Sequence, residues 1–351
     1  MTMRPVRFQA GLSLIELMIA MALSLLLMLG VLQIFLSSKQ TYTANSALTH
    51  VQESGRFAMD FITYDLRNAG YKGECFSDVN PLIANATDDR FNLNIGMSGW
   101  DAENDLPTWP TGLSTVKTQH TDSIIIKHAA TSAGTLNADV TPASSSITMT
   151  SPNSEALGTN VVISSALGCD IFKSNDPLPP SSPPSPNIAK AGSDSFSRSY
   201  TPEITKILLF QSNQYYIKNG TNGSPSLWRA SWRNGSTTPL QNLELVEGIR
   251  DLQFEYGIGS GTGENRAVSD TAFIKANAVT NWNDVVAVKV RLLALGNEVN
   301  VASEDQIYDR EKGLICKKGD SACDAVNIIE IPNRRLAQVF TSTVSVRNQL
   351  P

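Results

Sequence analysis

Glu16 is the residue whose chemistry most needs an explanation, because it is the only charged residue in the apolar run from Leu12 to Leu36. A carboxylate at the centre of a bilayer costs at least a few kcal/mol, less near an interface, and usually has a partner. The segment before it contains two charged side chains, Arg4 and Arg7. If this run lies in a membrane, Glu16 therefore needs a cationic partner there.

The four cysteines are a second chemical signal. They are Cys75, Cys169, Cys316 and Cys323, all placed after the apolar run. If that run spans a membrane and the rest of the chain lies outside the cytoplasm, they face an oxidising compartment in which disulfides persist. Four cysteines allow three pairings. The short polar loop between Cys316 and Cys323 favours their pairing and leaves Cys75 to join Cys169. A zinc site is the rival interpretation, but the chain contains no CxxC and three histidines, so it is disfavoured.

Residues with catalytic potential do not form a known constellation. The sequence contains no GxSxG, HExxH or GxxxxGK[ST] motif. The glycine-rich run from Gly257 to Asn265 departs from GxGxxG and is interpreted as a flexible hairpin loop. Glu264 and Asp270 beside it lack EF-hand spacing, which disfavours a metal there. His120 and His128 are expected to be loop or surface residues. We therefore predict no enzyme activity, no cofactor and no metal site.

Composition narrows the class of protein. The chain has 351 residues, of which 41% are hydrophobic and 17% charged, with a formal net charge of −5. These values suit a globular body of one or two domains and exclude collagen, coiled-coil rods and wholly disordered chains. The low content of lysine and arginine also argues against nucleic-acid binding, which depends on clustered cations.

The element that carries Glu16 is long enough to cross a bilayer. Leu17 to Leu36 is a stretch of 20 residues, which spans about 30 Å as a helix. Basic residues before it favour an amino terminus in the cytoplasm and the rest outside. A secretory signal peptide is disfavoured, because the run is too long and lacks an A-x-A-like cleavage site. A plain signal anchor would leave Glu16 unexplained.

Helical spacing continues beyond the apolar run. Small and apolar residues recur at helical spacing at Ala47, Val51, Ala58, Ile62 and Leu66. A continuous helix is predicted from about Leu12 to Asn68, ending before Gly70, with its second half packed on a sheet. The aromatic pair Phe57 and Phe61 at i, i+4 is interpreted as part of the core.

The rest of the sequence is typical of strands. Alternating or short apolar runs separated by turn residues predict a mostly antiparallel sheet, and so an α+β fold class. In WNDVVAVKVRLLAL, Val286, Val288, Val290 and Leu292 should face one side, and Lys289 and Arg291 the other. The predicted runs are SIIIKHA, SITMT, NVVISSA, DIFK, ITKILLF, QYYIK, SLWRASW, GIRDLQFEYGI, WNDVVAVKVRLLAL, AVNIIEI and AQVFTSTVSVRN. Residues 174–187 are proline-rich and are interpreted as a loop or linker.

The amino terminus resembles the class III leader of type IV pilins and type II secretion pseudopilins. The shared features are a short basic leader, Gly11, the apolar LSLIELMIA, and Glu16 at its fifth place. The resemblance implies that a prepilin peptidase cuts between Gly11 and Leu12 and methylates the new amine. Leu12 stands where the family usually has Phe. Once cut, that amine would lie about one helical turn from Glu16 and could pair with it or with the Glu of a neighbouring subunit.

A narrower resemblance, to the PilW family of minor pilins, runs through residues 39–75, VEGIRDLQFEYGI, WNDVVAVKVRLLAL and RRLAQVFTSTVSVRN. It implies a subunit that initiates or caps type IV pilus assembly. The implied partners are other minor and major pilins, the prepilin peptidase, the inner-membrane assembly platform and a tip adhesin. A type II secretion pseudopilin at the tip is the close alternative. A stand-alone membrane-anchored binding or adhesive domain is a third hypothesis.

Together these expectations divide the chain into four parts. Residues 1–11 would be the leader, 12–36 the membrane and assembly half of the helix, and 37–70 its amphipathic half. Residues 71–351 would form a β-rich periplasmic domain anchored in the inner membrane by a single span. After assembly, the subunit would lie in the pilus, at its tip.

Overall fold

A computed structural model describes residues 13–101, 121–150, 158–175, 187–236, 238–260, 267–323 and 327–349. It contains one long helix, α1 (Leu14–Asn68), followed by strands. The strands are β1 (Val79–Leu82), β2 (Met97–Trp100), β3 (Ser123–Leu136), β4 (Ser146–Thr150), β5 (Asn160–Ser165), β6 (Gly168–Lys173), β7 (Asn187–Ala189), β8 (Lys206–Asn219), β9 (Pro225–Ser231), β10 (Gln241–Glu247), β11 (Ile249–Ser260), β12 (Ala267–Ile274), β13 (Val285–Leu295), β14 (Gln306–Asp309), β15 (Leu314–Lys317), β16 (Ile328–Glu330) and β17 (Ala337–Ser345).

Helix α1 has clear boundaries. Ser13 is its N-cap, and the Ser13 hydroxyl oxygen accepts a hydrogen bond from the Glu16 backbone N–H at 3.2 Å. The helix thus begins at Leu14, two residues after the predicted start. It ends at Asn68, and Gly70 then adopts a φ of 75°, which glycine accommodates without strain. Its 55 residues span about 82 Å.

The described strands form three sheets. The largest has ten strands, with β1, β6, β5, β8, β3, β4 and β7 in spatial order, β2 also paired with β3, and β9 linking β8 to β10. The second has the order β12, β11, β13, β17, and the third β15, β14, β16. Among the described strands, β1 and β6 pair in parallel and the other pairs are antiparallel. The predicted α+β class, with one long helix and mostly antiparallel sheets, is confirmed.

The second half of α1 supplies one wall of the main core. Its predicted buried positions, Ala47, Val51, Ala58, Ile62 and Leu66, are all buried. They pack toward the four-stranded sheet and one end of the large sheet. Partners in this cluster include Leu252, Phe254, Val288, Val290, Leu292, Ile124, Ile126 and Tyr215. Burying this seam therefore joins the helix to two sheets at once.

Strand β13 follows the predicted alternation from Val288 to Leu292, but at its start Val285, and not Val286 as predicted, belongs to the core that packs on α1. Val288, Val290 and Leu292 belong to the helix-side core. On the other face, Lys289 and Arg291 form ion pairs with Glu255 of β11, at 2.9 Å and 3.0 Å. Further along that second face, Leu293 and Leu295 are covered by the three-stranded sheet, so this part of the strand is buried on both sides.

Two predicted strands are one. The runs ITKILLF and QYYIK belong to β8, which continues through the polar residues between them. Ser212 and Asn213 are buried there, and the Asn213 side-chain amide donates to Asp65 at 2.8 Å. The polar residues that separate the two apolar runs are thus buried, and one of them binds the helix. In the proline-rich segment, residues 176–186 lie outside the described part of the chain, and Ser174 and Lys190 on either side of it form a bridge.

Candidate assembly helix and its anchorage

The first half of α1 is apolar and uncovered. From Leu14 to Leu36, its large hydrophobic side chains are 46% to 77% exposed. By length and composition, the helix is able to cross a membrane. More than twenty residues with apolar side chains all round the helix would expose a large hydrophobic surface to water, which is unfavourable. This half therefore requires lipid or other helices around it.

Glu16 lies in the first turn of that half, with an exposed side chain. A carboxylate in the first turn interacts favourably with the positive end of the helix dipole. Gly11 and Leu12, the predicted processing residues, lie outside the described residues. Ser13 has extended backbone angles, φ −70° and ψ 147°, so the described helix begins after it. The predicted pairing of the new amine with Glu16 remains a prediction.

The covered half of the helix is held in place by close packing against β17 and by hydrogen bonds of the two residues that follow the helix. Gly55 faces Phe340 of β17, and a Cβ atom added at Gly55 would lie 2.1 Å from Cε2 of that ring. At the end of the helix, the Gly70 N–H donates to the carbonyl oxygen of Lys127 at 2.8 Å. The side-chain amide of Asn348 donates to the carbonyl oxygen of Ala69 at 3.1 Å. These contacts fix the helix to β3, β17 and the segment after β17.

Asp65 is the buried carboxylate of the same helix. Tyr215 and Asn213 donate to its Oδ2 at 2.7 Å and 2.8 Å, and His128 Nε2 lies 3.2 Å from its Oδ1. Burial alone would raise the pKa of Asp65, but the interactions with His128, Tyr215 and Asn213 outweigh it and lower the pKa below 3.8. Asp65 thus remains ionised and joins α1 to β3 and β8.

His128 was expected at a surface or in a loop, and that prediction is wrong. It is buried in β3, where its Nδ1 accepts a hydrogen bond from the Ala130 N–H at 3.3 Å and its Nε2 faces Asp65. The imidazole ring can be buried because the Asp65 carboxylate on the helix provides a hydrogen-bond partner inside the domain. His120 lies outside the described residues. His50 Nε2 lies 2.9 Å from the side-chain amide of Asn297.

The interpretation of the aromatic pair as core is also wrong. Phe57 is 59% exposed and Phe61 39%. Together with Tyr64 they line a groove of about 620 Å³, and Arg229 and Gln241 also contribute to its lining. The i, i+4 pattern correctly places the two rings on one face of the helix, but that face lies beside the buried seam.

Both cysteine pairs in the structure are those expected from the sequence. Cys75 is bonded to Cys169, and Cys316 to Cys323. The first disulfide joins the segment just after α1 to β6 across 94 residues of sequence, and the second closes a separation of seven. All four sulfur atoms are in disulfides, which leaves no free thiol among them. Among the described residues, no group of three or more His, Cys, Asp or Glu side chains is arranged to hold a metal ion.

Comparison with known families matches two parts of the chain. Residues 6–32 match the prokaryotic N-terminal methylation motif. Residues 214–348 match the family of Type IV Pilus-assembly protein W, PilW. The resemblance to PilW-like type IV pilins is confirmed. The matched region begins within β8 and includes β9 to β17. It therefore contains the four-stranded sheet that packs on the helix seam, but not β3, which also packs there. The stem segment at 39–75, also expected to resemble PilW, lies outside both matched ranges.

Among solved structures, the chain is similar to a type IV-like pilin from Thermus thermophilus. The two are 16% identical, and the match covers 40% of this chain and 67% of that one, with a TM-score of 0.25. No curated protein matches the sequence. The family matches support a role in type IV pilus assembly, and the methylation motif together with the apolar helix indicates membrane anchoring.

Proposed function

We propose that the chain is a minor pilin that is held in the inner membrane by the first half of α1 and takes part in starting or capping a type IV pilus. In this proposal residues 1–11 are the leader, 12–36 the membrane and assembly half, 37–70 the stem, and 71–351 the periplasmic domain. The domain works by contact between proteins and is not an enzyme. The observation that carries the proposal is the uncovered apolar half of a helix whose other half buries one face against the domain.

Processing comes first in this proposal. A prepilin peptidase cuts between Gly11 and Leu12 and methylates the new amine, which removes both basic residues of the leader. The amine is a cation beside Glu16, and the two attract strongly in a medium of low dielectric constant. Since the amine can equally reach the Glu of a neighbouring subunit, the pair gives lateral association a defined register.

Helix packing then drives assembly. In a bilayer the apolar helix gains no hydrophobic energy by leaving lipid for another helix, so packing and polar pairs decide association. The partners proposed are other minor and major pilins, the assembly platform and a tip adhesin. The pseudopilin alternative uses the same helix chemistry. A deletion strain separates the two, because loss of piliation supports a pilus and loss of secretion supports a pseudopilus.

The test of the assembly role is the variant Glu16→Ala, with Glu53→Ala as the control. Both changes remove an exposed carboxylate from α1, but Glu53 lies outside the apolar run. The expected result is that Glu16→Ala lowers incorporation into sheared pili at least tenfold while the amount in the inner membrane is unchanged. Glu53→Ala should assemble as the unmodified chain does. Normal assembly of Glu16→Ala would overturn this role and favour a stand-alone anchored domain, which needs neither Gly11 nor Glu16.

A further inference from the structure

A cleft lies beside the stem directly after the apolar half of α1. It has a volume of about 810 Å³. One wall is the helix surface from Lys39 to Ala44, and the other is the loop of residues 298–303 together with Arg334. The loop also exposes an apolar side chain, Val299, which is 46% exposed. The cleft is therefore open, is lined by both polar and apolar side chains, and lies next to the hydrophobic surface of the helix.

The height of this cleft above the apolar run follows from the helix itself. Lys39 is three residues after Leu36 and Ala44 is eight, which places them about 4.5 Å and 12 Å further along the helix axis. The headgroup layer of each leaflet is about 5 to 8 Å thick. If Leu36 is the last residue in hydrocarbon, as the proposed function requires, the base of the cleft lies among the lipid headgroups.

The charges around the cleft suit an anion. Lys39 projects from the helix wall and is exposed, and Arg334 contributes a guanidinium from the opposite wall. One Arg334 nitrogen donates to the side chain of Asn300 at 2.9 Å, which holds the guanidinium against the loop. A guanidinium has five N–H donors, so several are left for a phosphate. Glu298 is the opposing charge on the cleft wall.

The backbone holds the two loop segments together. The Asn300 N–H donates to the Asn333 carbonyl oxygen at 2.8 Å, and the Val301 and Ala302 N–H groups donate to the Arg334 carbonyl oxygen at 3.0 Å and 2.9 Å. On the helix side, Gln40 adds an amide, and Thr41 and Thr43 add hydroxyl groups that donate to the carbonyl oxygens of Ser37 and Lys39 at 2.9 Å and 3.0 Å. The cations and the amide can therefore donate to a phosphate, and the two hydroxyl oxygens can accept from the hydroxyls that accompany it in a glycerol headgroup.

We propose that this cleft binds the headgroup of an anionic phospholipid, such as phosphatidylglycerol, while α1 lies in the bilayer. The lipid phosphate lies between Lys39 and Arg334, and its acyl chains run along the apolar surface of the helix near Leu36. A lipid fits better than a soluble anion, because the cleft lies beside the membrane-spanning surface. The inference rests on the proposed membrane insertion. It adds a lipid contact that would hold the domain close to the membrane before assembly.

The experiment titrates acyl-labelled fluorescent phosphatidylglycerol into the full-length protein in a neutral detergent at low ionic strength. Fluorescence anisotropy gives the apparent dissociation constant. Variants Lys39→Gln and Arg334→Gln should each weaken binding about fivefold, the effect of one basic side chain near an anionic lipid surface. Glu298→Gln should strengthen binding, since it removes the opposing charge. Lys173→Gln and Glu203→Gln are matched controls, because both residues are exposed and lie outside the cleft.

The proposal is overturned if Lys39→Gln binds as Lys173→Gln does, or if inorganic phosphate at the same concentration displaces the lipid. The first result would mean that net charge alone attracts the lipid, and the second that the cleft takes a free anion. Flotation of the full-length protein with phosphatidylglycerol vesicles tests the underlying insertion separately. Protein that floats but shows no difference between these variants would refute the lipid site alone. Protein that fails to float would refute the membrane proposal as well.

Discussion

The two halves of α1 share one continuous backbone and have opposite surroundings. From Leu14 to Leu36 every large apolar side chain is exposed, whereas in the second half ten residues are buried. The first half is apolar on all sides, and the second buries one seam of apolar and small residues while Phe57 and Phe61 beside it stay exposed. The distribution of apolar residues around the helix thus determines which half packs on its own domain and which half requires an external partner.

The carboxylates of the two halves show the same contrast. Asp65 lies in a buried network with His128, Tyr215 and Asn213. Glu16 is exposed, and none of the described side chains pairs with its carboxylate. Within one helix, the satisfied carboxylate therefore serves folding, and the exposed one is the residue to examine for assembly. The predictions below test this division.

The largest expected effect concerns the disulfide just beyond the covered half. Replacing Cys75 and Cys169 by alanine should lower the free energy of unfolding of the domain by about 4 to 5 kcal/mol, because the bond closes a long loop. Replacing Cys316 and Cys323, whose loop is short, should cost about 2 to 3 kcal/mol. Denaturant unfolding of the full chain in detergent measures both. A larger loss for the short loop would contradict this account of how the covered half is anchored.

The next effect compares the two carboxylates. Asp65→Ala should lower the free energy of unfolding by about 3 kcal/mol, because it leaves buried partners on β3 and β8 unsatisfied. Glu16→Ala should leave the unfolding of the domain unchanged. The Asp65 contribution should be present above about pH 4 and fall at lower pH, because its pKa is lowered below 3.8 in the folded state. If both variants lowered the free energy of unfolding equally, the two carboxylates would not have the separate roles in folding and assembly that are assigned here.

A smaller effect compares two glycines of α1. Gly55→Ala should cost about 1 to 3 kcal/mol, since the new Cβ meets the Phe340 ring and the packed strand must shift. Gly30→Ala meets no described atom within 4 Å, so it should leave domain stability unchanged and favour the helix by up to about 1 kcal/mol. Thermal unfolding of the two variants in detergent measures the difference. A stabilising Gly55→Ala would show that the seam is loosely packed.

Much of this division could be predicted from the sequence. Periodicity predicts the helix, its buried positions from Ala47 to Leu66, and strands such as β4 and β13. The spacing of the cysteines predicts both disulfides. Such patterns describe one face of one element at a time. The processing and assembly residues, Gly11, Leu12 and Glu16, are predicted from the type and order of residues at the amino terminus. Their roles remain predictions.

The errors have a common physical cause. Helical spacing places Phe57 and Phe61 on one face but does not reveal how far the covering sheet extends, so the sequence could not show that they are exposed. His128 and Asn213 are polar residues in strands, and their burial depends on Asp65, which is at least 63 residues away in sequence. Pairs of buried polar groups so far apart leave no local pattern. The one available signal was Asp65, a carboxylate beside the predicted apolar seam of the helix, which would need buried polar partners.

The most direct test of the central claim is the mass and first residue of the mature protein from its own membrane, beside a Gly11→Val control. The account predicts a chain that begins with methylated Leu12, and it predicts that the control retains the leader. An intact Met1, or a cut beyond Leu36, would contradict it, because the uncovered half of α1 would then be an ordinary anchor or a removed signal and Glu16 would have no cation beside it.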